Sequence, residues 1–196
     1  MSDDAPDTPL DPASTDALLR FLHLAGQLKS TPRAGWALRG ISRPESVADH
    51  SHRVALLALV LAPRAQPPLD VARCVALGVV HDLAEALVGD ITPYDGVGAD
   101  EKRRREEDAM RQLAGLAGDD SLLALWREYD AAQSPEARFV KELDKLETVF
   151  QAAEYEQGGT AAPGALDEFW HSAGPRITSP GLRALLDGVR RERGDG

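Results

Sequence analysis

Apolar positions recur along the chain at intervals of three and four, the period of a helix with one buried face. No stretch keeps up the period of two that marks a strand. The first stripe is Leu18, Leu22, Ala25 and Leu28, ended by Pro32. A second, Val54, Leu57 and Leu61, is opened by the capping box Ser46-x-x-Asp49 and stopped by Pro63. Asp70 caps a third helix through Val75, Val79 and Leu83, with Gly89 as its stop. Residues 90–99, with Pro93, Gly96 and Gly98, read as a loop, and Asp100 opens a highly charged helix to about Ala117. Asp119 or Asp120 opens a short helix carrying Leu122, Leu125, Trp126 and Tyr129. Ser134-Pro135, a cap followed by proline at the first helical position, starts a helix to about Tyr155. Gly158 to Gly164 is a loop, and two short helices follow, the last from Ser179-Pro180. The expected fold class is all-α.

Composition narrows this picture. The chain has 196 residues, the size of one domain. Residues 1–14 hold Asp, Pro, Ser and Thr and little to pack, so they are expected to form a disordered acidic tail before a domain at 15–193. The longest apolar run, Val54 to Ala62, has nine residues, against the about 20 that a membrane helix needs. Asp3, Asp4 and Asp7 stand where a secretory signal would carry basic residues. Cys74 is the only cysteine, which excludes an intrachain disulfide and a cysteine-based zinc site. A cytoplasmic protein without a membrane segment is expected. The net charge of −10 argues against nucleic-acid binding through bulk charge. A small anionic substrate stays open, because local charge decides that.

The third helix carries the chemistry. Val71 to Val80 is nearly all apolar, the mark of a buried helix. His81, Asp82, Glu85 and Asp90 follow. Burying ionised carboxylates is costly unless a cation or a hydrogen-bond network compensates. A metal ion would explain them; so would arginine partners and a satisfied core histidine. His81 and Glu85 stand at i and i+4 on one helical face, with Asp82 about 100° round. His50, in Asp49-His50-Ser51-His52, shares the inward face with Val54, Leu57 and Leu61, while His52 points to solvent or a site rim. Asp144 lies on the apolar stripe of Val140 and Phe150, as a ligand or as half of a salt bridge. His23 and His171 read as packed or surface histidines, Trp126 and Trp170 as core aromatics. Arg103 to Arg105, flanked by acids, read as a solvated, ion-paired face.

His50, then His81-Asp82 thirty-one residues later, then Asp144, resembles the H…HD…D signature of the HD-domain metal-dependent phosphohydrolases. Four blocks in order resemble the HD-domain 5′-deoxynucleotidases: Arg33-x-x-Trp36, Arg43-Pro44-Glu45-Ser46-Val47-Ala48-Asp49-His50, His81-Asp82-x-x-Glu85-x-x-x-Gly89-Asp90-Ile91 and Phe139-Val140-Lys141-x-x-Asp144. The likeness runs from about residue 15 to 190, including Glu101 to Glu107 and Ala153-Glu154-Tyr155-Glu156.

The resemblance implies an HD-domain helical bundle, a homodimer, and hydrolysis of deoxyribonucleoside 5′-monophosphates to deoxynucleoside and phosphate. It implies a divalent metal on His50, His81, Asp82 and Asp144, with Glu85 and Asp90 in catalysis. It also implies a second cation on Glu85, Asp90 and the Ile91 backbone. The mixed nitrogen and oxygen ligands suit Mn²⁺, Co²⁺, Fe²⁺ or Mg²⁺ without choosing among them. Glu85 would orient or deprotonate water; Asp90 would protonate the leaving 5′-oxygen or bind the second cation. Some bacterial members carry an arginine directly before the tryptophan; here Gly35 stands there and Arg33 is the substitute. Arg33, Arg53 and Lys141 are candidates for the phosphate, against the alternative that they are solvated surface groups. Trp36 is either a wall against the sugar or core packing. Two other activities compete: an HD phosphodiesterase for a signalling nucleotide, and a degenerate nucleotide-binding HD module.

Overall fold

Caps decide where the helices start. The computed structural model describes residues 11–194. Asp11 accepts the amide hydrogens of Ala13 and Ser14, and Pro12 takes the first helical position, so α1 runs Pro12–Ala25. This moves the expected boundary: residues 12–14 are the first turn of α1, because an Asp-Pro pair is a helix start. The rest of the expected acidic tail, residues 1–10, lies outside the described residues. The buried stripe of α1 is also rotated. Phe21, Leu24 and Ala25 pack inward, ahead of Leu28 in the turn Gly26–Lys29, whereas Leu22 is 55% exposed.

After the short α2 (Ala34–Ala37), α3 (Val47–Leu61) opens on the full capping box of Ser46 and Asp49. Asp70 caps α4, Val71–Val80. The helix expected to continue to Gly89 breaks instead. The amides of Leu83 and Glu85 reach the carbonyls of Val80 and Asp82, three residues back, and α5 covers only Glu85–Val88. The Gly78 carbonyl, which a continuing helix would offer to the Asp82 amide, accepts from the His81 ring. His81 and Glu85 therefore do not share one continuous helical face. Gly89, with φ +74°, then turns the chain so that Asp90 comes back toward α2.

The remaining helices are α6 (Ala99–Ala117), α7 (Ser121–Asp130), α8 (Pro135–Gln157, capped by Ser134), α9 (Asp167–Ala173) and α10 (Pro180–Arg193). The fold is all-α; strand-like pairing among the described residues is an isolated bridge between Pro32 and Ser46. α8 is the central rod. Leu143, Leu146, Val149 and Ala152 on it are fully buried against α3, α4 and α10. A second apolar cluster, with Val80, Met110, Leu113 and Trp126, joins α1, α5, α6 and α7. Arg104 and Arg105 pair with Glu101 and Asp108 on the exposed face of α6, as expected, while Arg103 reaches across to Asp130 at the end of α7. No helix among the described residues is long and apolar enough to cross a membrane.

α4 is not buried all round, since Val79 is 54% exposed. Its tight contact is with α3, where a Cβ added to Gly78 would lie 3.0 Å from the Ala55 Cα. This close approach brings His50 and His81 into range of each other. Gly78→Ala should therefore destabilise the chain by about 1–3 kcal/mol through backbone displacement, although alanine is the better helix former. Urea melts of the two proteins measure the difference.

Candidate active site

At the α3–α4 crossing two imidazoles meet. His50 is fully buried on α3 and His81 stands at the end of α4. The His81 Nδ1 lies 2.8 Å from the Gly78 carbonyl oxygen, and the His50 Nδ1 lies 2.5 Å from Glu147 Oε2 on α8. A carbonyl only accepts. Burial opposes charge on Glu147, but His50 and Arg53 outweigh it and hold its carboxyl below the usual carboxylate range. Both Nδ1 atoms thus donate, and both Nε2 atoms turn inward, 3.3 Å apart. Asp82 Oδ2 lies 3.1 Å from the His81 Nε2 and 3.6 Å from the His50 Nε2. Asp144 Oδ1 approaches the His50 Nε2 to 3.4 Å. Its other oxygen accepts from the Tyr129 hydroxyl at 3.1 Å and the Lys145 ammonium at 2.8 Å, which leaves Oδ1 for the imidazoles.

Donor atoms of His50, His81 and Asp82 thus lie within 4.8 Å of one another, and Asp144 Oδ1 adjoins the His50 Nε2. The demand for positive charge shows in His50: burial and Arg33 oppose its protonation, yet Glu147 and Asp144 push its pKa up to about 9. Two imidazole nitrogens with carboxylate oxygens form a donor set that fits a divalent metal cation.

This group borders a cavity of about 730 Å³, within the roughly 300–1,000 Å³ of small-molecule sites. Arg33, Trp36, His81, Asp82, Glu85, Asp90, Ile91, Lys141 and Asp144 all line it; His50 lies behind the wall. Arg33 reaches Asp82 at 3.3 Å and Asp90 at 3.9 Å, so Asp82 does have the arginine partner considered above. Glu85 has none: its Oε2 is buried without a hydrogen-bond partner. Burial and the charges of Asp82 and Asp90 push the Glu85 carboxyl well above its ordinary range. Asp90 accepts the Ala34 amide hydrogen at 2.8 Å. The Ile91 carbonyl accepts from the Lys102 ammonium at 2.8 Å.

One candidate moves away from the cavity, and one open alternative narrows. Arg53 is not at the cavity. Its Nε and Nη2 bind Glu147 at 2.9 and 2.8 Å and its Nη1 binds Glu154, because one turn past His50 the face of α3 meets α8. Trp36 is only 2% exposed. It packs on Phe169 with ring centroids 4.1 Å apart, meets Tyr155 edge-on, and donates from Nε1 to Glu45 at 2.8 Å. It backs the cavity wall as a core residue. Lys141 is at the cavity, its ammonium 4.2 Å from the centre of the Tyr129 ring. Sequence reasoning missed Lys102, Arg138, Lys145 and Arg176, which also line the cavity, and Tyr129, which orients Asp144. The one available signal was the position of Lys145 directly after Asp144. His23, His52 and His171 are exposed, and Trp126 and Trp170 are buried.

A carboxyl whose folded pKa lies above its unfolded value costs stability as pH rises through that range. Metal-free Glu85→Gln should be more stable than the wild type at about pH 7.5, by on the order of 1 kcal/mol. The gap should close as pH falls toward about 4.5, where the unfolded carboxyl is itself protonated. Denaturant melts across this range measure it.

A family model described as HD domain matches residues 25–183. The human protein 5′-deoxynucleotidase HDDC2 is 44% identical over 180 residues, covering 90% of this chain and 86% of its own. Among solved structures, a conserved hypothetical protein of Pyrococcus furiosus superposes with a TM-score of 0.76 at 33% identity, over 88% of this chain and 99% of its own. A predicted metal-dependent phosphohydrolase of Magnetospirillum magnetotacticum gives 0.67 at 28% identity, over 93% of this chain and 96% of its own. The chain belongs to the HD-domain 5′-deoxynucleotidase family.

Proposed function

We propose that the chain hydrolyses deoxyribonucleoside 5′-monophosphates to deoxynucleoside and phosphate, with a divalent metal held by His50, His81, Asp82 and Asp144. One observation carries this: two inward-facing Nε2 atoms and two carboxylates converge beside a cavity rimmed by Arg33, Lys141 and Lys145. The bound cation, for which Mn²⁺, Co²⁺, Mg²⁺ and Fe²⁺ are all suited, would polarise the phosphoryl group and lower the pKa of water.

The chain's own groups supply the rest. Arg33, Lys141 and Lys145 neutralise and orient the phosphate, as phosphoryl transfer requires. Glu85, whose buried Oε2 has no hydrogen-bond partner, takes a proton from the attacking water. A bond forms from the water oxygen to phosphorus, the bond from phosphorus to the 5′-oxygen breaks, and the departing oxygen gains a proton. We infer that this proton is the one Glu85 has taken from the water, passed on through Asp90, whose own carboxylate is ion-paired with Arg33. The alternative, a second cation on Glu85, Asp90 and Ile91, competes with the Lys102 ammonium already on the Ile91 carbonyl. The sugar lies along the wall of Phe169 backed by Trp36. There a 2′-hydroxyl would lose water without gaining a partner, at about 1–3 kcal/mol, or roughly 5- to 150-fold in rate.

The partner is thus a small nucleotide rather than a nucleic acid, and the setting we propose is cytoplasmic. We also propose a homodimer. Leu56, Leu59 and Val60 are exposed together on α3, and Val79 is exposed on α4 beside it, an apolar face suited to a second copy.

Phosphate release should depend on added divalent metal and be faster with deoxynucleotides than with ribonucleotides, with little preference among bases. Bis(p-nitrophenyl) phosphate should be a poor substrate. Equal rates on AMP and dAMP would remove the deoxy preference, and faster diester turnover would favour a phosphodiesterase. Glu85→Ala should lose on the order of 10²–10⁴ in turnover while retaining the metal. Light scattering at micromolar concentration should give twice the chain mass; a monomer would refute the dimer.

A further inference from the structure

We propose that Glu147, clamped by Arg53, is the positioning residue that fixes the ring orientation and tautomer of His50. The inference rests on the metal reading above. His50 turns Nε2 toward His81 and Asp82 only while Nδ1 has an acceptor behind it. That acceptor is Glu147 Oε2 at 2.5 Å, and both side chains are fully buried. The two histidines differ in this respect. His81 finds its acceptor in its own helix, at the Gly78 carbonyl, whereas His50 depends on a side chain ninety-seven residues away.

Glu147 is held in turn. Its Oε1 accepts from Arg53 Nε at 2.9 Å and Nη2 at 2.8 Å. Arg53 is itself anchored by Glu154 and by Gln151 Oε1 at 2.6 Å. Glu147, Gln151 and Glu154 stand at i, i+4 and i+7 on α8, and His50 and Arg53 at i and i+3 on α3. The result is a ladder between two helices. Asp144, three residues before Glu147, rides on the same rod, so α8 carries both one ligand and the group that aims another. Glu45, His50 and Glu147 also bring donor atoms within 4.8 Å of one another, but a 2.5 Å contact between Nδ1 and Oε2 is a hydrogen bond with no room for an ion between them. An acceptor on the outer nitrogen of a ligating histidine orients the ring and raises its basicity.

The test is Co²⁺ titration by visible absorption, with proton NMR of the Co²⁺-loaded full chain. Wild type should show a strongly shifted, slowly exchanging resonance from the His50 Nδ1 hydrogen. Glu147→Leu should weaken Co²⁺ binding about 10- to 100-fold and lose that resonance to exchange. Glu147→Gln keeps one acceptor oxygen but sets its amide NH2 against a donor of Arg53 or His50, so its Co²⁺ affinity should fall between those of the wild type and the leucine variant. If the leucine variant does not fold, Glu147→Asp takes its place, since the shorter acid withdraws from Nδ1; it should also bind more weakly. A merely structural pair would lower the melting temperature and leave Co²⁺ affinity and the shifted resonance unchanged in the folded variants. That result overturns the inference alone. A wild-type chain that binds no Co²⁺ overturns the metal reading and this inference with it.

Discussion

Asp82, Glu85, Asp90 and Asp144 crowd one side of a single cavity, and carboxylates gathered away from water require positive charge or protons beside them. Each neighbouring group supplies one or the other. Arg33 lies between Asp82 and Asp90, and the charges of Asp82, Asp90, Asp144 and Glu85 raise its pKa despite burial. Lys145 and the Tyr129 hydroxyl serve Asp144, and Lys102 occupies the carbonyl beside Asp90. Glu85 is left with an oxygen that nothing satisfies. A group that the fold leaves uncompensated at the cavity, when its neighbours are all matched, is where chemistry rather than stability has set the residue.

The packing serves the same requirement. α3 and α4 approach so closely that position 78 has no room for a side chain, and that approach sets the separation of the two imidazoles. The segment before α3 is pinned by backbone hydrogen bonds from Arg33 to Glu45 and from Val47 to Thr31. Tyr155, on α8, accepts the Glu45 amide hydrogen. Arg33 is therefore held by the same helix that presents Asp144, although the two residues are far apart along the chain.

Much of this was legible in the residues. Helix starts at Ser46, Asp70 and Ser134 were readable because a cap is a local interaction between neighbours in sequence. His50, His81, Asp82 and Asp144 stood out because acids and imidazoles on apolar stripes are costly to bury, and all four in order outweighed the ion pairs and core packing that could explain each one alone. The break after Val80 was hidden, since Leu83, Ala84, Glu85 and Ala86 are all good helix formers and only the His81 ring on the Gly78 carbonyl marks the change. Arg53 looked available for phosphate because its partners on α8 lie about a hundred positions away, beyond the reach of any periodicity. Lys102 was lost in a charged run, and Tyr129 read only as one residue of a short helix, because its ring is buried and only its hydroxyl does the orienting.

α8 presents Lys141, Asp144, Lys145, Glu147, Gln151 and Glu154 along one unbroken rod. Each residue of a helix is turned about 100° from the one before it. A single inserted or deleted residue between Asp144 and Glu147 would leave one of them aimed correctly and swing the other away, with every hydrophobic position beyond. A substitution along this helix alters one contact, whereas a change in residue count between Lys141 and Glu154 breaks the register of all those beyond it. The stretch from Gly158 to Gly164, between α8 and α9, carries no such helical register.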